Sequence, residues 1–144
     1  MTTSHTTTTA RRGTVGAADH RALRVVGAIA AGLVVWVLAV PVLGVELTAR
    51  SGTSVLLVGP AAVAFAGLLA GLAGWASLAL LERLTKHVRG VWTTLAGTVL
   101  VLSLVGPFGQ ATGTAAAVSL AAMHVAVGIT VIVSLGSTAR PRRG

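Results

Sequence analysis

Residues 90–139 form a run of 50 without Asp, Glu, Lys or Arg. A helix crosses a hydrocarbon core about 30 Å thick in roughly 20 residues, so this run is too long for one span and right for two. Its only turn-like interruption is Gly106-Pro107-Phe108-Gly109-Gln110, which predicts span three at about 91–105 and span four at about 114–135. Upstream, residues 25–45 are uncharged over 21 positions and form span one. Residues 51–81 are uncharged over 31, and Pro60 among them suits the first turn of a helix, where its missing N–H leaves no bond unmade. Span two is therefore expected at 60–81, with 46–59 as the first loop.

Composition agrees. The chain is 54% hydrophobic and 10% charged, against about 25% charged in soluble proteins, which excludes a soluble globular domain. The expected fold class is all-α, a membrane-embedded four-helix bundle over residues 24–136. Residues 1–23 begin with a Thr-rich stretch too polar to offset its ordering entropy and are expected as a disordered basic tail, and 137–144 as a second basic tail.

The formal net charge of +8 is a topology signal. Arg11, Arg12, Arg21 and Arg24 precede span one, Arg83, Lys86 and Arg89 join spans two and three, and Arg140, Arg142 and Arg143 follow span four. Arg50 alone falls on the other side. Basic residues near span ends are retained in the cytoplasm, so both termini are expected there. Ten of the eleven basic residues are Arg, a bias read as GC-rich bacterial coding; the localisation expected is a bacterial plasma membrane. The run at 25–45 is too long for the apolar region of a secretory signal, and Arg11-Arg12 lacks the apolar residues that twin-arginine export wants next.

Helices in lipid associate through close van der Waals contact, which small residues permit. Gly67, Gly71 and Gly74 line one face of span two with Ala64 and Ser77, and Ala117, Ala121 and Gly128 share a face of span four with His124. Ala28 and Gly32 lie four apart in span one. These stripes suit packing within the bundle, or a homodimer through span two. Trp92 and Phe108 are expected as interfacial anchors, and Trp36 as a space-filling or lipid-facing residue in mid-span.

His124 is the one ionisable group deep in the bilayer, and such a residue is a functional candidate because its charged form is costly there. It is expected to face inward, either as polar glue bonded to Thr98 or Ser103, or as a proton acceptor held neutral at rest. His5, His20 and His87 fall outside the membrane and there is no cysteine, so no metal, haem or other cofactor is expected. Glu46, four residues before Arg50, is a candidate interfacial carboxylate, either paired with that arginine or gating a path. Glu82 and Lys86, also four apart, suggest that helix two runs past the membrane surface. No nucleophile elbow, zinc-protease motif or phosphate-binding loop occurs, and an enzyme is not expected.

At Val45-Glu46-Leu47-Thr48-Ala49-Arg50, Gly71-Leu72-Ala73-Gly74-Trp75, Leu81-Glu82-Arg83, Ser103-Leu104-Val105-Gly106-Pro107 and Met123-His124, the chain resembles an uncharacterised family of small four-span actinobacterial membrane proteins. The resemblance covers about residues 20–136. It implies four spans, an actinobacterial plasma membrane and a histidine in span four, and it brings no activity. The chain is also similar in size and span number to small multidrug transporters, which pair as dimers. Those use a carboxylate in span one, and 25–45 contains none. The function expected is a noncatalytic accessory or structural membrane subunit; the alternative is a small homo-oligomeric transporter or channel using His124. The partners expected are the lipid bilayer and either a second copy or an unidentified membrane protein, and no nucleic acid.

Overall fold

The computed structural model describes residues 17–139; the first sixteen residues of the tail expected at 1–23, and the arginines at 140, 142 and 143, lie outside them. Helix α1 runs Ala17–Val37 and passes into a π-helical turn, Leu38–Val42. A hairpin of β1 (Thr48–Ser51) and β2 (Ser54–Leu57) follows, then α2 (Pro60–Leu84), α3 (Val88–Ser103), the short α4 (Val105–Gln110) and α5 (Thr114–Gly136). Taking α3 and α4 as one passage, four helical stretches are long and apolar enough to cross a membrane. Large apolar side chains such as Val26, Phe65, Val101 and Val133 stand exposed along all four, as a lipid-facing surface requires.

Helix α5 is the hub, touching α1, α2, α3 and α4, while α1 packs against both α2 and α5. Two apolar clusters hold the bundle. One, around Ala28, Leu78, Trp92, Val131 and Leu135, sits toward the end where the arginines gather; the other, around Ala39, Leu47, Val63, Leu120 and Met123, sits toward the hairpin. We call these the arginine end and the hairpin end.

Several expectations need correction. Helix α1 begins at Ala17, inside the segment expected as a disordered tail. Alanine and leucine there favour helix, and Arg21 and Arg24 find partners on other helices, as described below. The chain is not all-α, because the first loop folds into a two-stranded antiparallel hairpin with Ser51 opposite Ser54. Gly52, at φ +62°, takes the first central position of its two-residue turn, a backbone region other residues avoid. Gly44, at φ +66°, likewise turns the chain out of the π-helical segment. That segment contains Pro41, whose missing N–H and bulky ring disfavour a regular α-turn.

The interruption expected at 106–110 is helical instead. Leu104 keeps helical dihedrals but its N–H turns to Val101 O, and Pro107 sits buried in the first turn of α4, a position that tolerates proline. The chain reverses only at 111–113. Helix α2 ends at Leu84, so Lys86 lies beyond it and the Glu82–Lys86 helical spacing does not apply. Trp92 is no surface anchor: it is 2% exposed and donates its indole N–H to Ile132 O at 3.2 Å. Trp36, expected in mid-span, lies near the hairpin end and donates to Val58 O at 2.9 Å. Phe108 is exposed, in keeping with an anchoring position.

Candidate functional site

Four alanines on one face of α2, at 62, 66, 70 and 73, build the most distinctive feature of the bundle. Helices α2 and α3 approach each other at Gly74, where an added Cβ would sit 3.4 Å from Trp92 Cη2. Farther toward the hairpin the alanine side chains are too short to bridge the space. A cleft of about 660 Å³ results, walled by α2 and α3 and floored by Leu120, Met123, His124, Val127 and Gly128 of α5. Ala66, Ala70 and Ala73 on one lip and Leu95 and Val99 on the other are exposed, so the cleft opens sideways on the apolar outer surface of the bundle. The polar side chains lining it are Ser77, Ser103 and His124, with the indole of Trp92 at its narrow end.

His124 does not bond to Thr98 or Ser103, as the sequence suggested. Its Nδ1 lies 2.8 Å from Leu120 O, one turn back on its own helix, and Ser103 Oγ donates to Leu100 O at 2.7 Å in the same manner. Ser103 Oγ and His124 Nδ1 thus bond within their own helices, which leaves helix contact to the small residues. Ala117, Ala121 and Gly128 share the face of His124 and are half-buried. A Cβ on Gly128 would lie 2.5 Å from Leu100 Cδ1, so α3 packs directly on that face.

The glycine stripe of span two is occupied within the chain. A Cβ on Gly67 would meet Ile29 Cα at 3.1 Å and one on Gly71 would meet Val25 Cγ1 at 2.8 Å, both on α1. Gly74 faces α5, where Val131 Cγ1 would be 2.8 Å away. In span one, Ala28 is fully buried, and Gly32 lies between Val63 of α2 and Val127 of α5. The alanine stripe beside the glycines went unnoticed in the sequence, although its Ala62-x-x-x-Ala66-x-x-x-Ala70 spacing was there to read.

Glu46 is exposed in the loop before β1 and makes no ion pair with Arg50. The four-residue spacing brings side chains together on a helix, but extended chain carries them about 13 Å apart. Among the described residues, no group of three or more His, Cys, Asp or Glu could hold a metal ion.

At the arginine end, two side chains do more than mark topology. Arg21 Nη2 donates to Glu82 Oε1 at 2.6 Å and to Thr138 O at 3.4 Å, joining α1 to α2 and to the end of α5. Arg24 donates to Ser134 O and Ser137 Oγ. Ser134 O is one of the last carbonyls of α5, which have no backbone partner inside the helix and lie at the negative end of its dipole. A count of basic residues by side could not have separated these two arginines from the rest.

At the opposite end the hairpin is fastened to the connector between α4 and α5. Ala49 forms a β-bridge to Ala111, and the hydroxyls of Thr48 and Thr112 are hydrogen-bonded. One edge of the sheet is thereby covered. Among the described residues nothing pairs with the outer edge, β2, and Val55, Leu56 and Leu57 are 58%, 55% and 77% exposed.

Four membrane-capable helices, a lipid-facing cleft and a capped hairpin define a small multi-pass membrane protein. The chain belongs to the family of unknown function DUF6069, whose model matches residues 12–141. Comparison with curated proteins and with solved structures gives no match.

Proposed function

We propose that the protein is a noncatalytic accessory or structural subunit of a bacterial plasma membrane, with the arginine end in the cytoplasm and the hairpin at the outer face. The observation that carries this reading is the open apolar edge of β2. Val58 N–H bonds to Leu47 O at 2.8 Å, and the alternation of an antiparallel ladder then turns the N–H groups of Val55 and Leu57 outward. Val42, Leu43 and Phe108, on segments at the same end, are exposed as well. An open apolar edge strand is a template for a strand of another chain.

A photocrosslinker at Leu57, activated in cells, is expected to yield one discrete adduct with a foreign membrane protein, lost when Val55→Pro removes an outward N–H. An adduct only with a second copy, or one that survives Val55→Pro, overturns the accessory reading. The family resemblance and the positive-inside distribution favour the assignment of membrane and sides. Cysteine labelling from either face of intact cells, at His87 and at Thr53, tests it directly.

A second reading, a small homo-oligomeric transporter or channel, draws on the position of His124 in the cleft. Under it, proton flux into liposomes carrying the protein is expected to fall to the empty-vesicle rate in His124→Ala. Flux that persists removes the histidine from any such path.

A further inference from the structure

We infer that the cleft between α2 and α3 is a binding site for an apolar hydroxyl compound dissolved in the hydrocarbon, its O–H donating to Nε2 of His124. The inference does not depend on the accessory reading, which concerns the other surface of the hairpin end. Its basis is the tautomer. A carbonyl can only accept, so the contact of Nδ1 with Leu120 O places the ring proton on Nδ1. In the tautomer that carries its proton on Nδ1, Nε2 keeps a lone pair and can accept. No hydrogen bond from the described residues reaches it. Ser103, the nearby hydroxyl of α3, has its proton directed to Leu100 O.

Size and depth narrow the guest. A volume of about 660 Å³ falls within the range of small-molecule pockets, roughly 300–1,000 Å³, and the walls are rigid helices. The open lips at Ala66, Ala70 and Val99 admit a guest from lipid and not from water. His124 is the eleventh of the 23 residues of α5, so it lies near the middle of its span. Phospholipid headgroups stay about 15 Å away, half the thickness of the hydrocarbon core. A donor at the midplane therefore comes from a molecule with no larger polar group than one hydroxyl, either a long-chain alcohol or an alkylated phenol, the bond to Nε2 offsetting part of the cost of burying that hydroxyl. The two share one chemistry, a single O–H on an apolar body.

The full chain in phosphatidylglycerol vesicles, exposed to a diazirine-bearing hexadecanol or to its methyl ether, tests this. A hydrogen bond worth about 1 kcal/mol predicts roughly fivefold stronger labelling by the alcohol, mapped to residues lining the cleft. His124→Phe is expected to bring the alcohol down to the level of the ether and leave the ether unchanged, while Ala70→Trp fills the cleft and abolishes both. Competition by unlabelled hexadecanol against a singly hydroxylated alkylphenol then tells which source the site prefers. Equal labelling by alcohol and ether in the unaltered protein overturns the inference without recourse to any variant. So does labelling mapped outside the cleft, or an alcohol preference that survives in His124→Phe.

Discussion

Gly67→Leu is expected to separate α1 from α2 and cost the bundle about 2–3 kcal/mol, the usual range for forcing extra atoms into a packed interface. The atom it would meet first is a backbone carbon, Ile29 Cα, at 3.1 Å from the new Cβ. A side chain can rotate away, but a backbone atom moves only with its helix. The loss should register as a lower midpoint in thermal unfolding in mild detergent, followed by monodispersity on size exclusion. Gly97→Leu is the matched control, since nothing lies within 4 Å of a Cβ there. It should leave the midpoint unchanged or raise it slightly, because leucine is the better helix former. Equal effects at both positions would mean that the contact between α1 and α2 does not hold the fold.

Trp92→Ala is expected to be the most damaging single truncation, at about 3–5 kcal/mol. The indole sits between two helices that have made room for it. A Cβ on Gly74 would be 3.4 Å from it, and one on Gly136 would be 3.2 Å from both Cδ1 and Nε1. Removing the ring leaves a void lined by Leu78, Val131 and Leu135, members of the same buried cluster. Trp92→Phe should recover most of the loss and forfeit the bond to Ile132 O. The same unfolding assay reads both variants. An alanine variant as stable as the parent would show that the arginine end is held by the clamp of Arg21 and Arg24 alone.

How much of this was legible in the sequence depends on what each signal averages over. Uncharged runs average over twenty residues, and all four membrane-capable helices lie where such runs fall. Single residues with two possible meanings read less well. Pro107 and its flanking glycines look like a turn, yet a proline in the first turn of a new helix is equally permitted, and only the buried surroundings decide. Trp92, next to a basic connector, looks interfacial until Gly74 and Gly136 are seen to flank it from helices distant in sequence. The hairpin was hidden because its strands are four residues each and do not alternate apolar with polar. For the candidate site, His124 was found because a lone ionisable group in an apolar run is conspicuous. Its partner was misjudged, because a bond to its own helix is always within reach and needs no second span. The cleft arises from an absence of volume along α2, which hydropathy does not register.

Arg24 reaches carbonyl and hydroxyl groups 110 and 113 residues later in the chain. During synthesis, the first helix therefore enters the membrane long before the groups that receive its arginine exist. Three spans can be in place with α1 lacking one of its two packing neighbours and that guanidinium still turned to water or lipid headgroups. Closure waits for translation of the last helix, and contacts so distant along the chain form slowly. For as long as that interval lasts, the unfinished protein presents to the membrane a face of α1 that the finished one hides.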